Sequence, residues 1–535
     1  MKRIFNYLLL CLFFTCCFFS SYGQDPRVVE VSGWDPAMGG NADDYNNIFY
    51  DAYISDSTGR LGNPNTIYEL KRDHLYPQGN ILKNFGYHLH IRAEEGDGLL
   101  PEFIPGKKAN GDYGNDYIRT EDDMTLENIA FNAFRPDGAY LNRMVEIRAH
   151  KSRVVIDGCI FYGDRGAAVK MQADSLVVFI RNVTVGNAGH RKTTGGNGRL
   201  VDMRPEALYV DTLVIENSTV YNASDRIVRN MGSIVNYLYI DHLTAFNTKG
   251  WHGGVQLGHV RNATVKNSLF ANVISMGHNP RLNEQTQPEQ HFAVITLDTI
   301  FDGQSIVVRN NNIYYDQVII DVWEMYDTVS APWAVTPTLE DAVGSGNVAN
   351  MFFEEVLVFN QVYDPINDYV NAVYADPAAT EFPENWCVGG TGGYFPDQID
   401  AGYADTYVSY TAADDGFPVG NLNYFPDLKE LWDNGELPNS VSSIDMGIYE
   451  FSVYPNPTTS DLNIKFELQN SSKVNISIMD ISGRVVSTVL QNELSAGTHV
   501  YSHNVSTQLS KGMYFITLQT EQGMITQKLV VQGGF

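Results

Sequence analysis

The chain has 535 residues, 44% of them hydrophobic, and carries 36 Lys and Arg against 63 Asp and Glu, a net charge of −27. Such acidity argues against nucleic acid as a partner, because a phosphate backbone calls for a basic surface. Five cysteines are too few for a disulfide framework, so a chain of this length must be stabilised by its core.

Residues 1–23 read as a signal peptide. Lys2 and Arg3 make its basic end, Leu8 to Phe19 its apolar stretch, and Ser21-Tyr22-Gly23 a small-residue cleavage site before Gln24. The apolar stretch is too short for a membrane span and no other candidate follows, so the mature chain is expected to have no transmembrane segment. Three of the five cysteines leave with this peptide, and Cys159 and Cys387 remain. Residues 24–65 are expected to form an N-terminal cap.

From 66 to 330 the chain repeats itself. TLENIAF, VIDGCIF, FIRNVTV, VIENSTV, YIDHLTA, TVKNSLF and VVRNNNI align on their apolar positions and place Asn128, Gly158, Asn182, Asn217, His242, Asn267 and Asn310 in one column. Asn187, Asn222, Asn247 and Asn272 follow five residues after four of these. Successive rungs lie 30, 24, 35, 25, 25 and 43 residues apart, a period of two dozen with inserted loops. Repetition at this period, with β-rich runs flanking a turn residue, predicts an all-β fold, a right-handed single-stranded parallel β-helix. An amide has both donors and acceptors, so an Asn at the same corner of every coil can pass a hydrogen bond along the stack. His242 is expected to fill a structural place in that ladder. The N-x-S/T strings at Asn182, Asn217, Asn222 and Asn262 are by-products of the repeat.

A second strand column lies 11 to 15 residues ahead of each corner, reading MVEIR, AVKMQ, LVDMR, IVRNM, GVQLG and VITLD. Alternation turns Glu146, Lys170, Asp202, Arg229, Gln256 and Thr296 outward, with Arg148, Gln172, Arg204, Met231, Gly258 and Asp298 two residues on. Nine or ten coils are expected, a rod of about 45 Å at a strand spacing of about 4.8 Å.

Residues 331–450 are expected to supply the last coils and an acidic, irregular cap over the open end of the stack. Counted from 321, this stretch has 23 acidic side chains and one basic one, Lys429. IDMGIYE at its end resembles the closing strand of β-helix proteins. No Asp-x-Asp-x-Asn loop marks a calcium site, so metal ligands stay unassigned and calcium stays open.

Residues 452–535 form a separate module. YPNP at Tyr454–Pro457, the Asp-x-x-Gly-Arg string around Arg484 and the strand beginning Gly512-Met513-Tyr514 closely resemble the type A sorting domain of the type IX secretion system. The resemblance implies a small β-sandwich, recognition by the type IX secretion machinery, and a protein released or attached at the cell surface.

Chemistry is expected between Gly186 and Phe292, where ten Lys or Arg face eight Asp or Glu and six of the twelve histidines gather. Most lie in loops ahead of the second column, including GNAGHRKTTGGNGR, FNTKGWHGG and MGHNPRLNEQTQPEQHF. Over residues 66–330 the repeat resembles the pectate-lyase-like superfamily, which implies that an acidic polysaccharide lies along an exposed strand column flanked by loops. On that resemblance Lys170, Asp202, Arg204, Arg229 and His252 are the catalytic candidates, with Trp251, Gln256, His278 and Arg281 binding substrate. Eliminating across a uronic acid needs a cation on the carboxylate, a base for the adjacent proton and an acid for the leaving oxygen, and these residue types supply all three. The alternatives are a polygalacturonase-like hydrolase using Asp202 with Asp225, and a non-catalytic adhesin that stacks sugars on Trp251, Trp323 or Trp333. Pairing of the arginines with Asp202, Glu206 or Asp225 would instead make them scaffold charges. The protein is expected to act as a monomer.

Overall fold

The computed structural model describes residues 25–531 except 190–196, 205–208, 251–252, 278–291, 326–329, 345–346, 348–349, 363–398, 439–447, 457, 469, 481–483, 507–508 and 521–523. It divides into two compact units, Met1–Asp433 and Asn434–Phe535.

The first unit is a parallel β-helix of three sheets with ten, ten and nine strands. One coil illustrates the path. Arg153–Asp157 lies in sheet 1, Gly158 turns the chain, Ile160–Tyr162 lies in sheet 2, and Ala167–Met171 lies in sheet 3. Pairing is parallel throughout the three sheets and keeps equivalent residues of successive coils side by side. Inward residues therefore stack on their own kind. The rings of Phe103, Phe131 and Phe161 lie face to face, with centroids 5.2 Å apart at each step. Cys159 is buried in the same core.

The corner column holds in detail. Asn128, Gly158, Asn182, Asn217, His242, Asn267 and Asn310 all have φ between 45° and 65°, the left-handed region that asparagine tolerates better than most residues. The amide ladder runs mainly in the companion column five residues later. Asn222 donates to Asn187 at 3.2 Å, Asn247 to Asn222 at 3.4 Å and Asn272 to Asn247 at 3.1 Å. At the first corner the amides reach carboxylates instead, Asn182 to Asp157 at 2.7 Å and Asn267 to Asp241 at 2.8 Å. Burial also varies, from exposed at Asn128 to buried at Asn217, His242 and Asn267. His242 is structural, its ring Nδ1 lying 3.0 Å from the Gly420 carbonyl oxygen.

The rod is closed at both ends. At the start, Arg27–Val31 adds the first strand of sheet 1 and the helix Ile48–Ser55 packs Phe49 and Tyr53 against Tyr68 and Phe103. At the finish, the helices Gln317–Glu324 and Pro337–Val343 and the short strands Trp333–Val335 and Phe352–Phe353 complete the stack.

The acidic segment differs from expectation. Its described later part, 399–433, runs back along the outer face of sheet 2 instead of covering only the end. Tyr221, Phe246, Leu269, Ala271 and Tyr314 of the rod are buried with Leu357, Tyr403, Phe417, Leu422 and Phe425. The physical reason is an outward apolar column on sheet 2, Tyr162, Gly186, Tyr221, Phe246, Ala271 and Tyr314 in register, which needs cover from water. Asp414 fastens this strap, accepting from Lys266 at 3.1 Å, Arg309 at 2.6 Å and Asn310 at 3.0 Å.

The second unit has a three-stranded and a four-stranded antiparallel sheet around its own core, which includes Phe451, Ile464, Phe466, Ile476 and Ile516. Its first strand is Ile448–Tyr454, paired with Asp461–Leu468. Of the segment expected to close the β-helix, Ile448–Glu450 thus belong to this module, and 444–447 lie outside the described residues.

Candidate functional site

Sheet 3 presents the expected outward column, and its register is continuous: Lys83, Arg119, Glu146, Lys170, Asp202 and Arg229 sit on successive coils. Gln256 and Thr296 pair on the next two coils. Alternation along each strand puts these side chains on the outer face, yet Glu146 has no exposed surface. Four cations cover it. Arg143 Nη1 lies 2.6 Å away, Arg119 Nε 2.7 Å, Arg148 Nε 3.1 Å and Lys170 Nζ 3.5 Å.

Asp202 is served in the same way, by Arg199 at 3.1 Å, Arg229 at 3.3 Å and Arg204 at 3.8 Å. Arg199 is itself buried and also holds Asp225 at 2.7 Å, while Arg226 meets Asp225 at 3.1 Å and donates to Gln256 Oε1 at 2.9 Å. Asp116 pairs with Arg119 and Arg143. Among the described residues the network sets eight cations, Arg119, Arg143, Arg148, Lys170, Arg199, Arg204, Arg226 and Arg229, against four carboxylates, Asp116, Glu146, Asp202 and Asp225. Pairing of Arg204 and Arg229 with Asp202 is therefore real, but it does not neutralise the patch. One carboxylate shared by three guanidinium groups leaves positive charge in excess.

Buried charge shifts the titrations here. Burial, and then the neighbouring Arg143, lower the Lys170 ammonium below the usual lysine value, against the pull of Glu146. Burial and Arg199 lower Arg229 to about 10. Burial opposes the charge on Glu146, but Arg143 and Arg148 outweigh it and hold the carboxyl below its ordinary value. Arg199 Nη2, Arg204 Nε and Arg229 Nε are buried without a hydrogen-bond acceptor among the described residues. Behind the face, Asp164 is fully buried, and its carboxylate lies close to the backbone N–H groups of Asp164 and Arg199 without a well-formed hydrogen bond among the described residues. Burial pushes it up to about 7, with Arg199 pulling the other way.

Of the sequence candidates, Lys170, Asp202, Arg204, Arg229 and Gln256 converge on this face. Trp251, His252, His278 and Arg281 lie outside the described residues, as does Glu206. Asp225 has no exposed surface and is clamped by two arginines, so with Asp202 it does not offer substrate the two open carboxylates that hydrolysis requires. Trp323 is buried, its indole N–H donating to the Ser275 carbonyl oxygen at 3.0 Å, whereas Trp333 stands exposed on the last strand of sheet 3. Alternation alone missed Arg143, Arg199 and Arg226, which lie three residues ahead of the outward column. Among the described residues no group of three or more His, Cys, Asp or Glu side chains is placed to hold a metal ion.

Comparison with known families addresses the second unit. Residues 452–532 match the secretion system C-terminal sorting domain. This sorting domain marks the protein for type IX secretion, so it is secreted or attached at the cell surface through the outer membrane. Its match begins within the first strand of the antiparallel module. Comparison with curated proteins finds none that matches the chain. No helix among the described residues is long and apolar enough to cross a membrane.

Proposed function

We propose that the protein is an exported polysaccharide lyase that cleaves an acidic, uronic-acid-containing polysaccharide by β-elimination on the outer face of sheet 3. The observation that carries this reading is the excess, among the described residues, of eight cations over four carboxylates on and just beneath one face of a chain whose net charge is −27. Guanidinium groups held this close repel, and an anion laid across them relieves the repulsion through bidentate, charge-assisted bonds.

In the proposed reaction Arg204 and Arg229 take the uronate carboxylate and stabilise the charge that builds there as the adjacent C–H bond breaks. Lys170, lowered by burial and by Arg143, is the base in its neutral form and receives the proton. The C–H electron pair forms the new double bond, and the leaving oxygen departs with its bond pair. That oxygen takes a proton from His252, the sequence candidate proposed here as the acid. Trp251, Gln256, His278 and Arg281 are proposed to hold the flanking sugars.

Incubating the full chain with polysaccharides of different uronic acids, and following the ultraviolet absorbance of a new unsaturated end, tests this. Product from at least one polymer, lost in Lys170→Ala with folding retained, is the expected result. Binding without any unsaturated product would overturn the lyase reading in favour of a glycan-binding rod, for which the exposed Trp333 on the same sheet offers a stacking surface.

A further inference from the structure

The cationic face is not uniform along the rod. Two of its strands carry the same string, Arg-x-Val-acid-x-Arg: RMVEIR at 143–148 and RLVDMR at 199–204. In each, the acid is gripped by both arginines of its own strand. Glu146 meets Arg143 at 2.6 Å and Arg148 at 3.1 Å, and Asp202 meets Arg199 at 3.1 Å and Arg204 at 3.8 Å. The coil between them reads AAVKMQ, with Ala167 and Gln172 where its neighbours have arginine. Its Lys170 is the single cation of that strand.

The register places these clamps two coils apart. Glu146 pairs with Lys170 and Lys170 with Asp202. The backbone continues the series, Gln172 N donating to the Ile147 carbonyl at 2.9 Å and Arg204 N to the Met171 carbonyl at 3.1 Å. Arg148, Gln172 and Arg204 therefore form one outer column, in which the arginines are the more exposed, at 41% and 32% of the side chain. Beyond Arg204 the column gives Met231, and the next coil's Arg226 is turned inward to Asp225 and Gln256. At about 4.8 Å per coil the two outer guanidinium groups repeat every ~10 Å, close to the length of two sugar residues.

We infer that the two clamps are twin anion subsites and that the polymer they select bears an acidic group on every second sugar. This rests on the polysaccharide reading and adds the charge spacing to it. A sugar that follows the rod axis would set one acid at Arg148 and the next at Arg204, where Lys170 of the adjoining strand can reach it, with a neutral sugar over Gln172. A polymer charged at every residue would put an acid over Gln172, which has no cationic head to meet it.

Calorimetry on the full chain at physiological ionic strength tests the spacing with two probes of equal length: hyaluronan oligosaccharides, which carry a carboxylate on alternate sugars, and oligogalacturonate, which carries one on each. The wild type should bind the alternating probe more tightly. Arg148→Gln and Arg204→Gln should each weaken that binding about tenfold or more, the scale of one charge-assisted hydrogen bond. Gln172→Arg, which supplies the missing outer arginine, should improve oligogalacturonate binding about tenfold and leave the alternating probe unchanged. A wild-type preference for oligogalacturonate, or an equal gain for both probes in Gln172→Arg, would overturn the spacing while leaving an acidic-polysaccharide site intact. Failure of both probes, and of every other acidic polysaccharide tried, would sink the polysaccharide reading and the spacing with it.

Discussion

Replacing Asp164 by Asn should stabilise the rod at pH 8 and do so much less at pH 5. Asp164 is fully buried, its carboxylate makes no well-formed hydrogen bond among the described residues, and burial raises it from 3.8 to about 7 against the pull of Arg199. Its folded value lies above its unfolded one, so the native state binds the proton more tightly. Stability therefore falls as pH rises from the unfolded value to the folded one and levels off above that. With one unit worth about 1.4 kcal/mol, the raised value costs the native state about 4 kcal/mol at pH 8, where Asp164 is ionised, and about 2 kcal/mol at pH 5, where it must take up a proton that the unfolded chain largely lacks. An amide of the same shape does not titrate, so the gap between Asp164→Asn and wild type should widen by roughly 2–3 kcal/mol from pH 5 to pH 8. Denaturant unfolding of the two proteins at both pH values, followed by far-ultraviolet circular dichroism, measures the gap. A difference that stays constant with pH, or one that favours the wild type more at pH 8, would refute the reasoning.

Asn247→Ala should destabilise the rod by roughly 2 kcal/mol or more, since it breaks two steps of the amide ladder and forces alanine to φ 56°. Asn247→Gly removes the same bonds without the backbone strain, and a melting temperature as low as that of alanine would count against the strain component. If Lys170 is the base, the rate of unsaturated-product formation should climb with pH along a limb centred below the ordinary lysine value, because burial and Arg143 lower it. Replacing Lys170 with Met should abolish that limb together with turnover, and a pH profile left unchanged by the substitution would remove Lys170 from the chemistry. A chain ended at Asp433 should retain a folded rod and any polysaccharide activity but lose type IX export, as read by circular dichroism and cell fractionation. Unfolding of the rod on that truncation would mean that the two units fold as one.

Much of the fold was legible because a stacked coil writes its geometry into the chain. Each coil must turn at the same corners, so Asn, Gly or His recurs at a position that adopts positive φ. Each coil must also bury its inward residues on those of the next, so apolar positions recur in register. The outward column of sheet 3 followed from alternation, and with it Lys170, Asp202, Arg204, Arg229 and Gln256. The candidate loop residues Trp251, His252, His278 and Arg281 rest on sequence alone.

Sequence by itself determined the repeat, the corner, the sorting module and the existence of a charged outer column, all of which depend on residues near one another in the chain or on a strict period. Tertiary structure alone decided how those charges are shared. Arg143 at the start of its strand, and Arg199 and Arg226 just ahead of theirs, are out of phase with the outward alternation, and only packing turns their long side chains to Glu146, Asp202 and Asp225. The lateral course of the acidic segment was likewise invisible. Asp414 meets Lys266 and Arg309 across more than a hundred residues, a pairing set by the outward aromatic column of sheet 2 and carried by no local pattern. Periodicity reveals what every coil must do, whereas single long-range contacts appear only when the coils are stacked.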